Sequence, residues 1–153
     1  MNYDLVVNTP VGKVGINLDG KQAFDVTLQP EANRAKTPAQ HAWLKEWLDA
    51  YFEDASNWSV LPVSLSGTDY QQRVWNALRE LGSGEVVTYG ELAKTLGSGP
   101  RAIGQACRTN PCPLLVPCHR VVAANGRGGF HGHASGSWPQ IKSWLLKHEG
   151  VEI

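Results

Sequence analysis

"VVTYGELAKTLGSGPRAIGQACRTN", Val86 to Asn110, is the stretch that decides how this chain folds. Thr88 stands at a helix N-cap with Glu91 three residues on, the reciprocal pair of a capping box. Gly97 stops that helix. After Gly97-Ser98-Gly99, Pro100 opens a second helix at the position where its missing N–H costs nothing. Two short helices across a three-residue glycine turn predict a helix-turn-helix. The second helix is built of small residues: Ala102, Gly104 and Ala106 at even spacing, with Arg101 at its start and Arg108 at its end. A major-groove reader carries Asn, Gln or Arg on its base-facing side. So shallow a face suits close approach to a narrow groove, with one long side chain as a wedge. Tight helix packing inside a core would use the same small residues.

Just downstream lies "LLVPCHRVV", Leu114 to Val122. It sets a thiol and a base side by side in an apolar run. A buried cysteine is most often an inert small hydrophobe, but a neighbouring base is what generates a reactive thiolate. Adjacent side chains on extended backbone point opposite ways. His119 therefore reaches the Cys118 sulfur through a turn or a bridging water. "HEG" at 148–150 adds Glu149, a carboxylate able to orient the imidazole as the third member of a triad does. Cys107, Cys112, Cys118 and His119 lack metal-finger spacing, so no metal is expected.

Upstream, Thr68 and Gln71 form another capping box ahead of Tyr70, Val74, Trp75, Leu78 and Leu81, with Gly82 and Gly84 as the stop. The last helix carries Ile141, Trp144 and Leu145 and ends at Gly150. The first third reads as strands: Tyr3, Leu5, Val7, then Val14, Ile16, Leu18, then Phe24, Val26, Leu28. Asp19-Gly20 signals a hairpin between the second and third. A helix follows with Thr37 as N-cap, Pro38 first and Gln40 at the box position; its stripe is Trp43, Trp47, Leu48, Tyr51 and Phe52. "EDASNWSVLPVSLSG" reads as a connection. The expected fold class is α/β (α+β): a strand-rich lobe with one helix over 1–62, and a mostly helical lobe over 66–153.

Composition sets the outer limits. The chain has 153 residues, 42% hydrophobic and 18% charged, in the range of ordinary globular proteins. No apolar run is long enough to span a membrane, and "MNYDLVVNTP" lacks the order of a secretory signal. Three cysteines crowded into 107–118 argue against a disulfide framework and for a reducing, cytoplasmic setting. The zero net charge hides an asymmetry: residues 1–69 hold five Lys/Arg against nine Asp/Glu, and residues 70–153 hold nine against five. A basic half permits a polyanionic partner on one face.

Six segments in order, "VW..L", "GEVVTYGELA", "RAIG", "NP.P", "VPCHRVV" and "WLL.HEG", make this chain resemble the O6-alkylguanine-DNA alkyltransferase family. The likeness is close across the second half and only in outline across the first, where it implies a ribonuclease-H-like lobe. The resemblance implies direct-reversal repair. Cys118 would take the alkyl group irreversibly from O6-alkylguanine, with O4-alkylthymine as a further substrate, once per molecule. The base would be flipped from double-stranded DNA into a pocket. His119 would act on the thiol through a water, Glu149 would hold His119, and Asn110 would fix the cysteine loop. Tyr89 would crowd the phosphate and protonate the leaving guanine. Arg101 would fill the gap in the stack, with Ala102, Gly104, Arg108 and Arg120 also on the DNA side. Val121, Phe130, His131, Pro113 and Cys107 would line the pocket. No cofactor is implied, and the protein would act as a monomer.

The chain departs from the family pattern at "GFHGH", Gly129 to His133, where a tyrosine and a small residue are usual. The glycine-rich stretch that follows, up to Pro139, reads as a pliable pocket wall and lid, able to admit bulky alkyl groups or to close across the pocket, with access the favoured reading. Three other readings stand beside this one. A cysteine-less damage-recognition module of the same fold is opposed by Cys118. A helix-turn-helix transcription factor is opposed by the shallow second helix. A cysteine hydrolase would form a labile thioester and turn over, whereas a thioether is stable.

Overall fold

The computed structural model describes residues 3–30, 35, 38–130 and 137–152. The chain divides into two compact units, Met1–Leu65 with Pro111–Leu115, and Ser66–Asn110 with Val116–Ile153. A single cut after residue 62 therefore misses one excursion, because the segment before the reactive cysteine groups with the first unit. There the Val26 N–H donates to the Pro111 carbonyl at 2.9 Å, and the buried Cys112 thiol lies 3.8 Å from the Ala23 carbonyl oxygen.

In the first unit β1 (Leu5–Thr9), β2 (Gly12–Asp19) and β3 (Gln22–Leu28) form an antiparallel sheet in sequential order. Alternation drives it. Leu5, Val7, Val14, Ile16, Val26 and Leu28 are all buried, as expected for one face of a pleat. Phe24 breaks the pattern and is 44% exposed. The register jumps there, from Asn17↔Asp25 to Leu18↔Ala23. Phe24 is thus the extra residue of a β-bulge, and Ala23 takes its inward place. The hairpin also sits one residue later than Asp19-Gly20 suggests. Asp19 pairs with Gln22, which leaves Gly20 and Lys21 as the turn, and Gly20 has a φ of +62°. Glycine is the residue a type II′ turn wants first.

The helix of this unit, α1 (Ala42–Glu53), starts after a 3-10 turn at Pro38–His41. The expected cap, Thr37, lies outside the described residues. Leu44, Leu48 and Tyr51 are the buried face of α1, while Trp47 stays at the margin, stacked edge-on with Trp58.

The second unit comprises α2 (Asp69–Arg79), β4 (Val87–Thr88), α3 (Tyr89–Leu96), α4 (Pro100–Arg108), a 3-10 turn at Cys118–Arg120, β5 (Val121–Val122) and α5 (Ser137–His148). Both expected capping boxes are formed, Thr68 with Gln71 and Thr88 with Glu91. α2 ends at Arg79, three residues before the first of the glycines expected to stop it. Its apolar face, Val74, Trp75 and Leu78, is buried, and the Trp75 indole N–H reaches the Ala106 carbonyl at 2.8 Å. Burial of each such side chain contributes about 1.5–3 kcal/mol.

The helix-turn-helix closes through Gly97. Its φ of +66° lets the Ser98 N–H return to the Ala93 carbonyl at 2.8 Å, a Schellman closure. The parallel pair β4–β5 then matters most for function. Val87 faces Val121 and Thr88 faces Val122. One strand ends just before Tyr89, the other begins three residues after Cys118, and their pairing brings the two residues to one place.

Candidate active site and DNA-binding face

Cys118 is held by its backbone. Pro117 has φ −79° and ψ 66°, an inverse γ-turn, and the Cys118 N–H closes it onto the Val116 carbonyl at 2.7 Å. The Asn110 amide donates to the same carbonyl at 2.9 Å and also hydrogen-bonds the thiol. Asn110 thus ties the end of α4 to the cysteine turn. Cys118, His119 and Arg120 lie on a 3-10 turn, not on extended backbone.

His119 points away from solvent, with no exposed surface. Its Nε2 lies 2.8 Å from Glu149 Oε2. A carboxylate only accepts, so Nε2 carries the proton and Nδ1 keeps its lone pair. Nδ1 has no hydrogen-bond partner among the described protein groups. Glu149 is saturated: Arg120 donates from Nε at 2.8 Å and from Nη2 at 2.9 Å, and the Gly84 N–H donates at 3.2 Å. Arg120 spends its remaining arm on the Leu81 carbonyl at 2.6 Å.

Arg120 was expected on the DNA side, and the structure places it elsewhere. It is wholly buried, and its guanidinium neutralises Glu149. Sequence position could not show this, because Glu149 is 29 residues away.

The electrostatics follow from burial and these bonds. Burial pushes the Cys118 thiol up to about 11, opposed by the Asn110 hydrogen bond and the positive charge of Lys142. The resting protein therefore holds a thiol at neutral pH. Burial also lowers His119 below its ordinary value, against the pull of Glu149, so the imidazole is a neutral base. Burial works to raise Glu149, but the bonds from His119 and Arg120 outweigh it and hold the carboxyl well below the usual range. Tyr89 is pushed up to about 12 by burial, with Cys107 and Cys118 adding to the effect, so the phenol keeps its proton at neutral pH.

A cavity of about 310 Å³ opens over Cys118, walled by Tyr89, Cys107, Gly129 and Phe130. Arg101, Gly104, Gln105 and Arg108 of α4 form its other side. Among the expected pocket residues, Val121 is buried outside this lining and Pro113 belongs to the first unit. His131 and the glycine-rich stretch to residue 136 lie outside the described residues. Gly128 shapes the wall: its φ is +75°, and a Cβ there would meet the Tyr89 ring at 3.3 Å.

The small-residue face of α4 is open. Ala102 is exposed and a Cβ on Gly104 would meet nothing within 4 Å. Ala106 is the exception. Residues two apart do not share a helix face, and Ala106 is 3% exposed, turned inward. Arg101 and Arg108 are both exposed.

Two residues escaped notice in the sequence. Gln105 is exposed on the cavity rim. Lys142 is completely buried, and its Nζ donates to the carbonyls of Val121 at 2.6 Å and Gly129 at 2.9 Å. The available signal was helical spacing, since Lys142 stands three before Leu145 and four before Leu146 on an apolar stripe.

A helix-turn-helix with an open, shallow second helix, beside a buried thiol that lines a cavity, is the arrangement of a DNA-binding protein with a cysteine at its site. Comparison with known proteins agrees. The profile described as "6-O-methylguanine DNA methyltransferase, DNA binding domain" matches residues 69–151, and the chain belongs to that family. A methylated-DNA–protein-cysteine methyltransferase of Methanosarcina acetivorans is 46% identical over 97% of this chain and 98% of its own. One of Shigella flexneri is 39% identical over 84% of this chain and 75% of its own. The Mycobacterium tuberculosis OGT structure in complex with DNA superposes with a TM-score of 0.79 at 30% identity, covering 97% of this chain and 92% of that one.

Proposed function

We propose that this protein repairs O6-alkylguanine in double-stranded DNA by moving the alkyl group to Cys118, irreversibly and once per molecule. The observation that carries the reading is the Cys118 thiol at the floor of a base-sized cavity, backed by the buried His119–Glu149 pair. Arg101, exposed at the start of α4, fills the stack when the damaged base leaves it. His119 Nδ1 draws the thiol proton through a water. The thiolate attacks the alkyl carbon, the carbon–oxygen bond breaks, and Tyr89 gives its proton to the departing guanine. A C–S bond replaces a C–O bond, and the thioether stays.

The three cysteines are free thiols, which suits work in a reducing cytoplasm, and we place the protein there as a monomer. No helix among the described residues is long and apolar enough to cross a membrane. The test is to mix the protein with a duplex carrying O6-methylguanine and weigh it intact. A gain of one methyl, mapped to Cys118 and plateauing at one equivalent, is expected. Release of guanine beyond one equivalent means a turnover enzyme, and a methyl on Cys107 or Cys112 overturns the assignment.

A further inference from the structure

One neutral polar side chain stands on the open face of α4. Arg101, Gly104, Gln105 and Arg108 have the spacing of a single helix face, and all four border the cavity over Cys118. On the adjoining face Ala102, Ala106 and Thr109 border a second hollow of about 460 Å³, with Tyr70 and Gln71 of α2 across it. Gln105 borders both hollows, so it forms the crest of α4 between them. Its side chain is exposed and makes no hydrogen bond among the described residues. Gln71 shows the structural use of the same group: its carboxamide accepts from the Thr68 N–H at 2.9 Å and donates to the Thr109 hydroxyl at 3.2 Å. Gln105 leaves both its donor and its acceptor open, next to the bare backbone of Gly104.

We propose that Gln105 reads the minor-groove edge of a base pair flanking the lesion, and that a purine 2-amino group there speeds repair. This rests on the alkyl-transfer reading, in which Arg101 takes the place of the extruded base. Gln105 lies four residues beyond Arg101, about 6 Å along the helix axis. That span is less than two base-pair steps of ~3.4 Å, so with Arg101 in the stack the carboxamide falls within two pairs of the gap. Every pair offers acceptors to the minor groove, and only a G·C pair adds a donor, the guanine 2-amino group. A carboxamide therefore uses its donor at any pair and its acceptor only at G·C. Arg and Lys only donate and cannot accept from that amino group. Gln is among the side chains with which minor-groove proteins tell A·T from G·C.

The experiment measures the second-order rate of methyl transfer from O6-methylguanine duplexes. The two pairs on one side of the lesion are G·C, hypoxanthine·C or A·T, each side in turn. Hypoxanthine is guanine without the 2-amino group, so it changes the minor groove and leaves the major-groove edge as it was. On one side wild type should react faster at G·C than at hypoxanthine·C by about fivefold or more, the worth of one well-made base contact. Gln105→Met keeps the length of the side chain and removes its donor and acceptor, and the ratio should fall towards one. Partial unfolding lowers every rate together and leaves the ratio in place, so a merely structural role does not move it. Wild type with equal rates on the two duplexes, on both sides of the lesion, overturns the proposal, as does a Gln105→Met protein with the wild-type ratio. A·T and hypoxanthine·C look alike in the minor groove and differ in the major groove. A preference between those two that disappears in Gln105→Met would put Gln105 in the major groove and overturn the proposal as well. Failure of the alkyl-transfer reading would show separately, as no methyl gained from any duplex.

Discussion

Replacing Glu149 by Gln tests the centre of the site. The carboxylate accepts from His119 Nε2, twice from Arg120 and once from the Gly84 N–H, at 2.8 to 3.2 Å. Its side chain and those of His119 and Arg120 are 0% exposed. An amide offers one accepting oxygen and turns an N–H₂ on a donor. Arg120 donates to both oxygens, so it faces a donor in either orientation, joined by His119 in one and by the Gly84 N–H in the other, and its charge is left buried without its partner. Breaking a buried pair from one side costs about 3–5 kcal/mol, which in a chain of this size lowers the melting temperature by about 6–20 °C. The imidazole also loses its fixed tautomer, and general-base assistance is worth roughly 10²–10⁴ in rate.

Acid stability adds a second readout. Glu149 is held below its ordinary value of 4.5 in the folded protein. Its contribution is therefore complete above that value and is lost as pH falls through the folded one. Wild type should lose stability as the solution is acidified below the ordinary carboxylate value, and Glu149→Gln should show a flatter slope there. The assays are thermal melting across pH and single-turnover transfer from an O6-methylguanine duplex. A Glu149→Gln protein that melts with wild type and transfers at its rate refutes the reasoning.

Cys118→Ser should abolish transfer in the intact-mass assay yet retain DNA in a gel shift, because a hydroxyl is a far weaker nucleophile in the same shape. Arg101→Ala should slow transfer from duplex DNA far more than reaction with free O6-benzylguanine, since stacking is part of the few kcal/mol that base extrusion costs; equal losses would make Arg101 a fold residue. Gly104→Ala should raise the melting point slightly, as an open helix position gains about 0.5–1 kcal/mol from alanine, whereas Gly104→Leu should stay folded and weaken DNA binding. A Gly104→Leu protein that binds DNA as wild type does would remove α4 from the interface.

Local chemistry decided what the chain alone reveals. Thr88 with Glu91, Thr68 with Gln71, Gly97 and Pro100 act within one helical turn, so the helix-turn-helix was readable from neighbours in sequence. Phase over longer spans was not: Phe24 lost its inward place to a bulge set by strand register, and Ala106 turned inward because a helix does not keep residues two apart on one face. Long-range electrostatics were readable least of all. Arg120 carries the same charge whether it meets a phosphate or a carboxylate, and only packing put Glu149 against it. Lys142 reads as a surface lysine until α5 docks and buries it among backbone carbonyls beside the Tyr89 ring. Motifs record which groups a site needs, but burial and the partner across the fold decide what each charged group does there.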